Sequence, residues 1–196
     1  MFPADRVQLH DGRTAAIRTA DASDAAALRR FFASLSASAL RQRFHFGFRE
    51  LPDYLLGKLT AIADGASTII LAESSEHGTS SERQVVGEAR YVRMNDSPDI
   101  AEVAIVVTDS WQRVGLGGNL VSRLLAHARY AGVQAIVAYV SRENEAVVQL
   151  LRAFGARSVP GTAYSGDVQM RIDLDPLRTP ASQLGRPALP DSTAGR

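Results

Sequence analysis

One stretch, residues 101–132, constrains the fold of this chain more than any other. It begins with a mostly apolar run, AEVAIVV, continues through a turn with Gly115, Gly117 and Gly118, and ends in a segment with helical periodicity. Glycine lets the backbone approach a ligand because it has no Cβ, and the first turn of a helix has unpaired N–H groups. The stretch therefore predicts a strand, a phosphate-binding turn and a helix whose apolar face packs on a sheet.

Two common phosphate-binding motifs do not fit this turn. A Walker loop needs Lys followed by Ser or Thr after its last glycine, whereas Asn119 and Leu120 follow Gly118 here. A dinucleotide-binding fingerprint that begins at Gly115 needs glycine or alanine at the position of Leu120. Taken by itself, the turn is also compatible with simple punctuation between a strand and a helix.

The turn does match the pattern Gln-x-x-Gly-x-Gly, as Gln112, Gly115 and Gly117. A second apolar strand, QAIVAYV, then Asn144 and a further amphipathic helix follow it in the sequence. In this order of elements the chain resembles the GNAT family of acyl-coenzyme A N-acetyltransferases, whose signature loop binds the pyrophosphate of coenzyme A.

Two further patterns make the chain most similar to the bacterial protein lysine acetyltransferase branch of this family. They are an Asp-Gly-x-x-x-x-x-Arg opening and a Phe-Phe-x-x-Leu-Ser-x-x-x-x-x-x-Arg-Phe stretch. The residues that form them here are Asp11, Gly12, Arg18, Phe31, Phe32, Leu35, Ser36, Arg43 and Phe44. The resemblance extends from about residue 7 to residue 174, and it implies an acetyl-CoA-dependent enzyme whose acceptor is a protein lysine.

The resemblance implies an α+β (mixed α/β) fold of the GNAT type. Its sheet is expected to be twisted and mostly antiparallel, with about six to seven strands, a V-shaped splay between two parallel central strands and about four flanking helices. Apolar periodicity in the rest of the sequence places helices at about 27–35 and 51–63, strands at 14–18, 68–72 and 84–93, and a closing hairpin within 157–174. Residues 34–50 fit either a second, shorter helical segment or an ordered loop.

The chain is expected to contain one acetyltransferase domain, residues 1–175, followed by a tail. Residues 176–196 hold half of the eight prolines and show no apolar periodicity. A segment of this composition buries too little apolar surface to offset the entropy of ordering it. The sequence therefore predicts a disordered tail.

The same resemblance assigns the coenzyme site. The backbone of Val106 and Val107 would face the pantetheine arm and the thioester. Asn144 would hydrogen-bond the coenzyme, although it is equally well placed to cap the helix that follows it. The residues that would bind the diphosphate are Gln112, Arg113, Val114, Gly115, Leu116, Gly117 and Gly118.

Glu102 is the candidate general base. A lysine amine has a pKa of about 10.4 in water, so at neutral pH it needs a base before it attacks a thioester. Glu102 lies among apolar strand residues, and burial there would raise the pKa of its carboxyl group. In the lysine acetyltransferase branch, the glutamate in this Ala-Glu-x-Ala context serves as the base. Without that resemblance, the sequence is equally compatible with a Glu102 that faces solvent, or that forms an ion pair with Arg90 or Arg93.

The general acid is not assigned, and this leaves other functions open. Many GNAT enzymes have a tyrosine in the last helix that protonates the departing thiolate, and the spacing from Asn144 puts Leu151 at that position. One alternative is acetylation of a small amine, such as an aminoglycoside, a polyamine or an amino acid. The other is a non-catalytic sensor that binds acyl-CoA.

Residues 41–50 are the candidates for the acceptor side of the site. Arg41, Arg43 and Arg49 alternate there with phenylalanines. This pattern fits a nucleic-acid surface, on which aromatic rings stack, or an amphipathic segment that buries its phenylalanines. In GNAT enzymes the segment after the first helix forms part of the acceptor wall, so the resemblance favours the second interpretation.

The composition fits an ordinary globular domain and excludes several kinds of site. The chain has 196 residues, of which 45% are hydrophobic and 22% charged, and its formal net charge of +1 gives no argument for a nucleic-acid or membrane partner. The absence of cysteine excludes disulfides, thiolate metal sites and a cysteine nucleophile, and the four scattered histidines predict no metal. No run resembles a signal peptide or a membrane span, so we expect a cytoplasmic protein.

Overall fold

A computed structural model of the protein describes residues 4–44, 51–61, 66–74, 84–160 and 166–174. Within them, eight strands form one sheet, and five α-helices flank it, which confirms the expected mixed α/β GNAT fold. The strands are β1 Asp5–Gln8, β2 Thr14–Thr19, β3 Ser67–Ser74, β4 Gln84–Met94, β5 Ser97–Val107, β6 Ala135–Ser141, β7 Arg157–Ser158 and β8 Asp167–Asp173. The helices are α1 Ala25–Ser34, α2 Ala37–Phe44, α3 Asp53–Thr60, α4 Leu116–Tyr130 and α5 Glu145–Ala153. None of these helices combines the length and the hydropathy that crossing a bilayer requires.

The centre of the sheet contains the predicted V-shaped splay. The strand order is β1-β2-β3-β4-β5-β6-β8-β7, and among the described strands only β5 and β6 run parallel to each other. Their pairing covers residues 100–102 against 135–137, although β5 continues to Val107 and β6 to Ser141. The two strands therefore diverge, and residues 103–107 of β5 have no partner strand on that edge within the described part of the chain.

The structure adds one strand to those predicted from the sequence. β1 is four residues long, and its sequence, DRVQ, is too short and too polar to indicate a strand; it forms because it pairs antiparallel with β2. The link expected at residues 95–99 is shorter than predicted, since a turn at Asn95 and Asp96 joins β4 directly to β5 at Ser97. The tail predicted for residues 176–196 lies outside the described residues.

Two hydrophobic cores lie on opposite faces of the sheet. On the face that we call the α4 face, α4 covers Ala89 and Tyr91 of β4, and α5 contributes to the same core. On the opposite face, the α1 face, helices α1 to α3 bury an aromatic and aliphatic cluster that includes Leu28, Phe31, Phe32, Leu40, Leu56 and Leu59. Side chains alternate between faces along a strand, and the register of β4 with β5 puts Glu88, Arg90, Glu102, Ala104 and Val106 on the α1 face.

A buried charge cluster connects β2, β3 and the start of α1. Arg18 donates to both carboxylate oxygens of Asp24, at 2.6 and 2.7 Å, and also to Glu73. Asp24 and Glu73 are each 5% exposed. The hydrogen bonds from Arg18 hold the pKa of Asp24 below its usual value. Asp24 also accepts the backbone N–H of Asp21 in a capping box, so the cluster ties the helix start to the sheet.

Candidate active site

The gap between β5 and β6 opens into a cavity of ≈ 850 Å³, a volume typical of ligand-binding clefts. Its walls come from the splayed strands, the turn before α4, the start of α5 and the end of α2. The predicted coenzyme residues that line it are Val106, Val107, Gln112, Arg113, Gly115, Gly117, Gly118 and Asn144. Val114 and Leu116 are not in its lining. The structure thus brings most of the predicted coenzyme residues to one cavity.

The turn before α4 has a backbone suited to an anion. Arg113, with φ 60°, and Gly115, with φ 91°, both adopt left-handed conformations. Gly115 is the N-cap of α4 and offers no side-chain cap, so the N–H groups of the first helical turn have no partner within the helix. These donors and the positive end of the helix dipole are the features that a diphosphate requires.

Gln112 stabilises this turn through hydrogen bonds from its side chain and its backbone N–H. Its side-chain Nε2 donates to the carbonyl oxygen of Val107 at 3.0 Å and to Oδ1 of Asp109 at 3.2 Å. Its backbone N–H donates to the carbonyl oxygen of Asp109 at 3.2 Å. These bonds fix the path of the chain from the end of β5 into the turn, which is a positioning role.

His10 supports the turn from the other side of the sequence, a contact that sequence reasoning missed. Its backbone N–H donates to the carbonyl oxygen of Val114 at 3.0 Å. Its ring packs against Gly115 so closely that an added Cβ would lie 3.0 Å from Nε2. His10 also lines the cavity, next to the predicted diphosphate residues.

Arg13 connects the turn between β1 and β2, which also contains His10, to the loop after β5. Its guanidinium donates to the carbonyl oxygen of Ser110 at 2.8 Å and lies 4.1 Å from the ring centroid of Trp111. Asp11 and Gly12 are a visible turn signal in the sequence. This turn signal does not predict that Arg13 contacts Ser110, which lies 97 residues away in the sequence. The fold brings the two loops together.

Asn144 caps α5 and keeps a donor for a ligand. Its Oδ1 accepts the backbone N–H of Val147 at 3.2 Å, and the residue is 9% exposed. Its Nδ2 donates no hydrogen bond to any of the described residues. Leu151, at the position where a tyrosine acid would stand, is 3% exposed and belongs to the core.

Glu102 occupies the last paired position before β5 and β6 diverge, opposite Val92 of β4 and Val137 of β6. Its side chain is exposed, so the expectation that its apolar neighbours bury it is wrong. Those neighbours alternate between faces, and the helices of the α1 face do not cover this end of the strand. Neither Arg90 nor Arg93 pairs with Glu102, because Arg90 binds Glu88 and Arg93 binds backbone carbonyl oxygens.

Buried charge lies on the α1 face of β4, beside the part of β5 that lines the cavity. Glu88 is 0% exposed and forms an ion pair with Arg90, whose guanidinium lies 5.8 Å from the ring centroid of Phe32. Arg43, near the end of α2, lines the cavity. Burial lowers the pKa of Arg43 to about 10. The other half of the predicted acceptor segment, residues 45–50, lies outside the described residues.

The chain is similar to known acetyltransferases, in agreement with this geometry. The family model for acetyltransferases of the GNAT family matches residues 33–156. The acetyltransferase PA5475 of Pseudomonas aeruginosa is 30% identical over 147 residues, which are 75% of this chain and 77% of that protein. The acetyltransferase Pat of Mycolicibacterium smegmatis is 35% identical over 95 residues, which are 48% of this chain and 28% of Pat.

The fold has a close counterpart among solved structures. The GNAT domain of S. lividans PAT superposes with a TM-score of 0.75 at 24% identity, over 89% of this chain and 100% of that domain. At this identity the superposition shows the fold alone. Together with the family match, it establishes that the chain belongs to the GNAT family of acetyltransferases, which are N-acetyltransferases that use acetyl-CoA.

Proposed function

We propose that this acetyltransferase transfers the acetyl group directly to the lysine side chain of a protein in the cytoplasm, with Glu102 as the general base. The observation that carries the proposal is the position of Glu102 on the last residue pair before the cavity opens between β5 and β6. Because the carboxylate is exposed, it can accept a proton from an incoming amine, directly or through water, and release it to solvent. Resemblance to the lysine acetyltransferase branch supports the protein acceptor.

We assign acetyl-CoA, which supplies the activated thioester, to the cavity. The first-turn N–H groups of α4 and the cationic side chain of Arg113 suit the diphosphate. The unpaired edge of β5 at Val106 and Val107 suits the amide groups of the pantetheine arm, and Nδ2 of Asn144 offers a further donor. Gln112, Val114 and Leu116 hold the turn in place, through hydrogen bonds in the first two cases and core packing in the third.

The first prediction is that Glu102→Gln lowers kcat by roughly 10²–10⁴ and leaves the Kd for acetyl-CoA unchanged. The amide has nearly the same shape but cannot accept the proton, and residue 102 is not in the lining of the cavity. Steady-state kinetics and calorimetry with acetyl-CoA measure the two quantities. Asp99→Asn is the matched control, because Asp99 is an exposed carboxylate on the same strand.

The acceptor class is tested with labelled acetyl-CoA, a whole-cell lysate and a panel of small amines. Label in protein lysines is the expected result, and label confined to small amines would refute the protein acceptor. A wild-type protein that binds acetyl-CoA but acetylates nothing would instead indicate a sensor. If Glu102→Gln turned over as fast as Asp99→Asn, the base would have to be another group.

A further inference from the structure

Arg43 lies where an acceptor would meet the cavity, and the proposed function gives it no role. It is at the end of α2, which packs against β5, and together with Gln42 it lines the cavity. The charges that act on it belong to Glu88, Arg90 and Glu102. All three stand on the α1 face of β4 and β5, away from the turn that precedes α4.

Arg43 forms no ion pair within the described residues. Its Nε is buried without a hydrogen-bond partner, and within the described residues no carboxylate lies at ion-pair distance from its guanidinium. Glu88 is the carboxylate that acts on it most strongly, but Glu88 already forms an ion pair with Arg90. One carboxylate neutralises one guanidinium, so Glu88 does not balance both Arg90 and Arg43, and Glu102, the other carboxylate that acts on Arg43, is exposed and forms no ion pair with it.

A cation that is partly withdrawn from water without an ion-pair partner is unfavourable. Burial lowers the pKa of Arg43 to about 10, although Glu88 and, more weakly, Glu102 act in the opposite direction. Arg43 also contacts the face of Phe44, with its guanidinium 4.8 Å from the ring centroid, and this contact supplies no negative charge. An anion from a bound molecule would supply the missing partner.

The coenzyme's diphosphate does not meet this need. The donors suited to it lie at the start of α4, which covers the α4 face of the sheet, whereas Glu88, the carboxylate that acts most strongly on Arg43, stands on the α1 face. The anion at Arg43 therefore belongs to the second substrate. A planar guanidinium matches a carboxylate, because two N–H groups can donate to its two oxygens.

We propose that Arg43 forms an anion subsite in the acceptor half of the cavity, so that the preferred acceptor has a carboxylate close to the amine that is acetylated. The inference rests on the proposed function and narrows its substrate class. The carboxylate has two sources: an acidic side chain next to the target lysine in a protein, or the α-carboxylate of a free amino acid. Both present the same group to the guanidinium.

The test uses two pairs of acceptors. The two members of a pair have nearly the same shape and differ by one negative charge. The peptide pair is acetyl-Gly-Lys-Glu-Gly-amide against acetyl-Gly-Lys-Gln-Gly-amide. The amino-acid pair is Nα-acetyl-lysine against its amide. We expect wild-type kcat/KM to be about tenfold or more higher for the charged member of at least one pair, because a charge-assisted hydrogen bond in a partly buried site is worth that factor. The pair that shows the preference identifies the source of the carboxylate.

Arg43→Gln should bring that ratio close to one while neutral acceptors are still acetylated. Arg41→Gln is the matched control, since it removes the same charge from an exposed residue of the same helix and should leave the ratio unchanged. Arg43→Lys keeps the charge without the planar fork, so its ratio should fall between those of wild type and Arg43→Gln. If thermal melts show that Arg43→Gln does not fold, Arg43→Lys takes its place in the comparison.

The inference is overturned if wild type acetylates charged and neutral members equally, or if the preference survives in Arg43→Gln. In either case the acetylation of neutral lysine acceptors shows that the proposed function stands. A wild-type protein that binds acetyl-CoA and acetylates none of the four compounds would overturn both.

Discussion

Gly115 combines a backbone requirement with a side-chain contact at one position. Its φ of 91° is a conformation that L side chains rarely adopt, and an added Cβ would lie only 3.0 Å from the ring of His10. Gly132, at the end of α4, has a similar φ of 78° but nothing within 4 Å of an added Cβ. A comparison of substitutions at these two glycines therefore separates the effect of backbone strain from the effect of displacing His10.

We predict that Gly115→Ala and Gly132→Ala each lower the free energy of unfolding by about 1 kcal/mol, the cost of a left-handed alanine. Only Gly115→Ala should also weaken acetyl-CoA binding, by about tenfold, because it pushes His10 away and strains the turn that we assign to the diphosphate. Urea denaturation and calorimetry measure the two effects. Equal acetyl-CoA affinities in the two variants would contradict the assignment of the diphosphate to this turn.

At the scale of the element, α5 depends on a cap that also faces the cavity. Asn144 accepts the N–H of Val147, and its side-chain nitrogen remains as a donor on the cavity side. The sequence alone left the helix cap and the coenzyme contact as equal alternatives. The cap is now observed, and the coenzyme contact can be tested separately from it.

Asn144→Ser is expected to keep the free energy of unfolding within a few tenths of a kcal/mol, because serine is a comparable N-cap. Asn144→Ala should lower it by about 1 kcal/mol, since the N–H of Val147 loses its partner. Both variants lack the amide donor, so both should raise the Kd for acetyl-CoA. Wild-type affinity in Asn144→Ser would mean that the residue acts only as a cap.

The elements with long apolar periods were predictable from the sequence, and those that depend on distant partners were not. The succession of β5, α4, β6 and α5 follows from patterns within residues 101–155, where local periodicity and burial agree. β1 has no such pattern and exists because β2 pairs with it. For the same reason the sequence indicates a phosphate-binding turn at Gly115 but not that His10 supports it.

Side-chain environment was the least predictable property of the site. Glu102 is exposed although its neighbours along the strand are apolar, because burial is decided by what covers a face of the sheet and not by adjacent residues. Arg43 shows the reverse: it belongs to a polar-looking segment, yet α2 places it beside Glu88 and Arg90. Both outcomes depend on how helices of the α1 face dock on β4 and β5.

At the scale of the whole molecule, the Arg18 cluster makes stability depend on pH. The pKa of Asp24 is held below its usual value near 3.8, chiefly by hydrogen bonds from Arg18, so the folded state binds this proton less readily than the unfolded state does. The stability that results is fully present above the unfolded pKa, and it is lost as the pH falls through the lower, folded pKa. The cluster therefore stabilises the fold at neutral pH and makes it sensitive to acid.

We predict that Asp24→Asn lowers the free energy of unfolding by about 2 kcal/mol at pH 7, because Arg18 loses one of its two carboxylate partners and keeps only Glu73. The difference from wild type should shrink as the pH falls below about 4, where the wild-type carboxylate also takes up a proton. Urea titrations at pH 7, 5 and 3 measure it. Asp53→Asn is the control, because the pair of Asp53 with Arg29 is at the surface and 3.9 Å long. A difference that stays constant with pH would contradict the electrostatic explanation.

The short contact between β5 and β6 divides the sheet into two plates, one of five strands and one of three, joined along a seam of three residue pairs. A seam this narrow can act as a hinge, because each plate keeps its own ladder of hydrogen bonds when the angle between the plates changes. Substitutions at Ile100, Ala101, Ala135 or Val137, none of which lines the cavity, would then alter the width of the opening. The geometry around the transferred group is therefore set partly by residues that never meet it.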